Sequence, residues 1–165
     1  MSKLLAIVLT MAVAVGALAQ DNHQESNPYL TESGKLRRTL KLTLTGRGVK
    51  APQTWLIEPS GKWTATTSGE KSKEKSRSGY LSAAQLAALA KDLEDYRLLE
   101  LPREVSQRTD VPDQLYALSF GDVTSTLELV AGDALASSDP ARADPLAIPS
   151  TRFAALVRGI QSRLK

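Results

Sequence analysis

An α+β fold is what this sequence predicts, with an antiparallel sheet of about five strands built from meanders and hairpins and two amphipathic helices packed on one face. Three observations predict it. Apolar and polar residues alternate through Leu40, Leu42 and Leu44, the period of two that marks a half-buried strand. Two turn signatures, Pro59-Ser60-Gly61 and Gly121-Asp122, each join a pair of strand-like segments. Two further stretches, ending at Tyr96 and Leu164, space their apolar residues for a helix.

The first strand ends where Gly46-Arg47-Gly48 breaks the alternation. The next two run from about Gln53 to Glu58 and from Lys62 to about Thr67. Between them, Pro59 fixes φ at the first central position of a type I turn, and Gly61 takes the left-handed position that completes a bulge. That register sets Ile57 opposite Trp63 and Trp55 opposite Ala65, so both indoles fall on the core side. Ser68 to Gly79 carries Lys71, Lys73, Lys75 and Arg77 among Ser, Gly and Glu, with no hydrophobic period; it reads as a long solvated loop.

Ser82 then caps a helix, with Gln85 completing the capping box and Leu81 and Leu86 forming a hydrophobic staple. Its apolar stripe is Leu86, Leu89, Ala90, Leu93 and Tyr96, and Pro102 closes the segment. The polar stretch Arg103 to Gln114 reads as a loop. In the second hairpin Tyr116, Leu118 and Phe120 face inward, and Gly121 leads a type II′ turn. Val123 to Val130 returns, with Phe120 against Val123 and Tyr116 against Leu127. A loop holding Pro140, Pro145 and Pro149 follows, and Ser150 is the expected cap of a last helix striped by Phe153, Leu156, Val157, Ile160 and Leu164.

Ahead of this domain, residues 1–19 read as a cleavable signal peptide. Lys3 supplies the positive region, Leu4 to Gly16 the uncharged apolar run, and Ala17-Leu18-Ala19 the small residues a signal peptidase needs. The run is shorter than a spanning helix wants. Residues 20–34 read as a flexible leader and residues 35–165 as a single domain, exported to the periplasm or the medium, with no stable membrane insertion after cleavage. The chain has no cysteine, which excludes a lipoprotein anchor, a disulfide framework and a thiolate zinc site.

Charge and residue inventory narrow the function. The net charge of +3 is unevenly spread: residues 35–77 are mainly basic, and acidic residues crowd the stretch from Asp92 to Asp113. The basic stretch lacks interleaved aromatics, so nucleic acid is not an expected partner. The single histidine, His23, lies in the leader, which leaves no Ser–His pair or histidine metal site. Gly46-Arg47-Gly48 lacks the following helix of a phosphate loop. Asp110 and Asp113 bracket Val111-Pro112 in a loop where aspartate usually accepts local backbone hydrogen bonds. A non-catalytic domain without cofactor or metal, acting through a loop surface on a protein partner, is the expectation. The alternative is an envelope-associated protein that binds an anionic surface through the basic 68–79 segment.

Several phrases occur in a set order: Leu40-Lys-Leu-Thr-Leu-Thr-Gly46, Gly79-Tyr-Leu-Ser82, Leu98-Leu-Glu-Leu-Pro102, and Pro112-Asp113 leading into Leu115-Tyr-Ala-Leu-Ser-Phe-Gly-Asp122. With a last helix holding Leu156-Val157, they resemble the emfourin-type family of small proteinase inhibitors over roughly residues 38–164. The chain departs from that pattern in its longer Lys/Ser-rich segment and its Pro-rich insertion. The resemblance implies occlusion of a thermolysin-like metalloprotease cleft, a carboxylate or carbonyl approaching the catalytic zinc. The places it implies are Asp113 with its loop, or the turn around Gly46–Gly48 with Arg47; sequence does not choose between them.

Overall fold

The computed structural model describes residues 27–69, 72–105, 112–129, 135 and 148–164. The expected signal peptide, most of the expected leader and most of the Pro-rich insertion lie outside the described residues. The chain is α+β: strands β1 (Leu40–Thr45), β2 (Gln53–Ile57), β3 (Lys62–Gly69), β4 (Ser72–Tyr80), β5 (Gln114–Phe120) and β6 (Val123–Leu129), with helices α1 (Ala83–Asp95) and α2 (Pro149–Arg163). The strands form one antiparallel sheet in the order β4-β3-β2-β1-β5-β6. The sheet has six strands rather than about five, because the segment 68–79 is not a loop.

Both turn-encoded hairpins adopt the expected register. Ile57 pairs with Trp63 and Trp55 with Ala65, and Gly61 has φ +84° as the bulge position requires. Phe120 pairs with Val123 and Tyr116 with Leu127. Gly121 has φ +59° while Asp122 stays at negative φ, as a type II′ turn demands. β1 lies between the two hairpins and pairs with β2 and β5, so Leu40, Leu42 and Leu44 stand in rows with Trp55, Ile57, Tyr116, Leu118 and Phe120. These side chains and the buried stripes of both helices belong to one apolar cluster.

Helix α1 has the complete capping box. Ser82 Oγ accepts from Gln85 N at 3.2 Å, and Gln85 Oε1 accepts from Ser82 N at 2.8 Å. Leu86, Leu89, Ala90 and Leu93 are its buried face. Its exit is a 3-10 turn over Leu98–Glu100, entered through Arg97 at φ +50°, which buries Leu98 before Pro102. Helix α2 begins earlier than expected: Ile148 is its N-cap and Pro149 its first residue, so Ser150 lies inside the first turn. Proline suits that position because its missing N–H would have had no helical partner. The helices are joined by Arg163 Nη2 and Asp92 Oδ2 at 2.6 Å, both side chains largely covered. Asp92 therefore does not belong to the solvent face, in contrast to Asp95, which Lys91 holds at 2.7 Å. That hydrogen bond, with Asp95's charge, raises the Lys91 pKa above its usual value.

Two expectations fail outright. Order does not begin near Lys35, because residues 27–34 are packed on the domain. Asn27 Oδ1 accepts from the N–H groups of Tyr29 and Leu30 at 2.8 and 2.9 Å, an Asx turn that aims Tyr29 inward. Tyr29 packs on Phe120, ring centroids 5.5 Å apart, and is buried with Leu36. Burial raises its phenol pKa above the usual 10.0, with backbone hydrogen bonding at Leu99 opposing.

The second failure is the 68–79 segment. Its missing hydrophobic period does not prevent a strand. β4 pairs with β3 from Lys62↔Tyr80 to Thr67↔Lys75, and the ladder resumes at Gly69↔Ser72 after a bulge. The bulge's Ser68 N–H donates to Pro52 O at 2.9 Å. Gly79 stands opposite Trp63, and a Cβ there would come 2.8 Å from the indole Nε1. The glycine thus leaves room for the ring to lie across β4.

Candidate functional site

In an antiparallel sheet successive chain reversals alternate between the two strand ends. The tight turns at Pro59–Gly61 and Gly121–Asp122 occupy one end. The other end gathers the 46–52 connection, the start of β5, the end of β6, the end of β3 and the start of β4. Of the residues singled out from sequence, Arg47 and Asp113 map to this second end, and Lys73, Lys75 and Arg77 to β4 running from it.

The two alternatives that sequence left open prove to be one place. Asp113 N–H donates to Leu129 O at 2.9 Å, and Asp113 O accepts from Gly48 N–H at 2.8 Å. Gly46 sits at φ +128°, and a Cβ on it would collide with the Asp113 carbonyl oxygen. At Gly48 a Cβ would lie 3.2 Å from the same oxygen. Gly46 is therefore needed for the turn to press its backbone on Asp113, and Gly48 keeps the approach tight. Arg47 Nη2 stands 3.9 Å from Asp113 Oδ1, with 68% of the Arg47 side chain exposed against 25% of Asp113. An ion pair that long and exposed contributes at most about 1 kcal/mol, so backbone packing rather than charge fixes the turn. Val49 next to it packs on the core.

The basic residues are distributed differently. Lys71 lies outside the described residues, and Lys73 falls on the β4 backbone. Lys75 stands opposite Thr67, and Arg77 opposite Ala65. With Gln53, Trp55 and Thr66 these residues line a groove of about 320 Å³. The register makes two rows of it: Gln53–Thr67–Lys75 and Trp55–Ala65–Arg77. Trp55 and Ala65 are each 8% exposed, so the apolar floor belongs to the core while the cations sit on its open rim. Among the described residues no carboxylate lies within 4.0 Å of Lys75 or Arg77.

Sequence reasoning did not find Gln53, Trp55 and Thr67 as groove residues. It placed Trp55 against Ala65, but without β4 nothing set Arg77 beside them. Among the described residues no group of three or more His, Cys, Asp or Glu side chains is placed to hold a metal ion. No described helix is long and apolar enough to cross a membrane. Comparison with protein-family models and with curated proteins gives no match.

Proposed function

We propose that this chain is an exported, non-catalytic protein-binding domain, and that its contact surface is the strand-end rim built by Gly46–Gly48 and Asp113. The observation that carries the reading is the backbone lock between that turn and Asp113: the Gly48 N–H bond, Gly46 with no room for a Cβ, and Gly48 with little. A binding surface held in one conformation loses little entropy on docking, which favours a rim that enters a cleft. Arg47, exposed at the tip, and the partly exposed Asp113 carboxylate are the polar groups the rim offers.

The partner class is a thermolysin-like metalloprotease, as the sequence resemblance implies, and the mode is occlusion. The test is peptide hydrolysis by such a protease with increasing amounts of the purified protein. Inhibition is expected, and Gly46→Val should weaken it about tenfold or more by forcing the turn off Asp113. Unchanged hydrolysis at micromolar protein would overturn the assignment.

A further inference from the structure

The sheet has one edge that is closed and one that is open. On β6, Thr126 N–H donates to Arg103 O at 2.7 Å and Val105 N–H donates to Thr126 O at 2.8 Å, so residues 103–105 strap that edge with a short parallel bridge. On β4 no described segment pairs with the outer side. β4 is nine residues long and contains no proline, so its outward amides are all available donors. Residues 74–78 are exposed.

Which amides face outward follows from one bond. Leu81 N–H donates to Gly61 O at 2.9 Å, immediately beyond the Lys62↔Tyr80 pair. Hydrogen-bonded and non-hydrogen-bonded pairs alternate along an antiparallel ladder. Gly79 and Arg77 therefore turn their N–H and C=O groups toward β3, and Ser76 and Ser78 turn theirs to solvent. A strand added antiparallel to β4 would bond to Ser76 and Ser78. Its residues opposite Lys75 and Arg77 would then occupy the non-hydrogen-bonded sites, where side chains approach most closely.

We propose that β4 is an acceptor edge for an extended acidic peptide, which adds as a further strand and sets carboxylates at alternate positions against Lys75 and Arg77. Charge selects this occupant. Lys75 and Arg77 lie on one face of the strand without an acidic partner among the described residues, beside the groove floored by Trp55. A second copy of β4 would bring cation against cation, which opposes edge-to-edge pairing of the chain with itself. Side chains of an added strand at alternate positions fall on the same face and match the Lys75–Arg77 spacing. This surface is separate from the Gly46–Asp113 rim, and neither proposal depends on the other.

The experiment is fluorescence anisotropy of a short labelled peptide alternating glutamate with threonine, titrated with the purified protein. Saturable binding that weakens with salt is expected. The Lys75→Glu/Arg77→Glu double variant should weaken it about tenfold or more. Methylating alternate amide nitrogens of the peptide, which removes its donors and leaves its charge, should do the same, as should Ser78→Pro in the protein. Circular dichroism checks that the variants fold, and the methylated peptide tests the backbone contribution on the unaltered protein. Equal binding of the methylated peptide, or equal retention on anionic vesicles and on the peptide, would mean a merely electrostatic surface and overturn strand addition. Equal binding of the glutamine analogue, or no binding at all, would overturn the proposal as well.

Discussion

The two edge strands of the sheet are built on opposite principles. β6 alternates buried Ser125, Leu127 and Leu129 with half-exposed neighbours, and its outer side is strapped by residues 103–105. β4 has exposed side chains through most of its length, and among the described residues no segment pairs with its outer side. One strand is held by what it buries. The other is held by its ladder to β3 and by Trp63 lying across Gly79. A strand held by backbone pairing leaves its side chains free for charge, and this is where the chain places Lys75 and Arg77.

The largest effect expected from this contrast is in stability. Leu127→Ala removes a side chain that is 3% exposed and should cost about 2–5 kcal/mol. Arg77→Ala on β4 should change stability by no more than about 0.5 kcal/mol. Urea unfolding of both variants measures the difference. Comparable losses would show that β4 side chains carry stability, and the contrast would fail.

A smaller effect tests the strap. Val105→Pro removes the N–H that bonds to Thr126 O, at a cost of about 1–3 kcal/mol. It also frees part of the β6 edge, so sedimentation velocity should show more self-association than in the parent chain. If self-association is unchanged while stability falls, the strap is a packing element and does not guard the edge.

The same contrast explains what was legible in the sequence. Where one face is buried, the hydrophobic period and the turn residues together fix the register, and Ile57↔Trp63 and Phe120↔Val123 follow without a structure. The Ser82–Gln85 capping box was equally plain, because its bonds are local. β4 was not legible, since a strand whose described side chains stay largely exposed leaves no hydrophobic period to read. With β4 missing, the Lys75 and Arg77 groove could not be assembled, although each cation was singled out. The Gly46–Gly48 and Asp113 loci were both identified, but their union depends on β1 pairing with β5, a contact between segments some seventy residues apart that no local signal carries. Tyr29 was lost for a related reason: one buried ring in a polar segment has no periodicity. At the start of α2, Ser150 carries a capping side chain and Pro149 a ring suited to the first helical position; the two signals lie one residue apart, and the helix starts on the proline.

The smallest expected effect lies inside β6. Ser125 is 1% exposed in the row Leu42–Leu118–Ser125, and its Oγ has no hydrogen-bond partner among the described residues. A buried hydroxyl without a partner costs its desolvation and returns nothing. Ser125→Ala should therefore leave stability unchanged or raise it by up to about 1 kcal/mol. Ser119→Ala, on the other face of the same hairpin and half-exposed, should stay within about 0.5 kcal/mol of zero. Thermal unfolding of the pair reads the difference. A loss at Ser125 would mean that a water satisfies its hydroxyl in solution and that the inner row of β6 is wet. The edge would then be held by its strap and its leucines with a polar seam between them, and the division between an edge held by burial and an edge held by backbone would be one of degree.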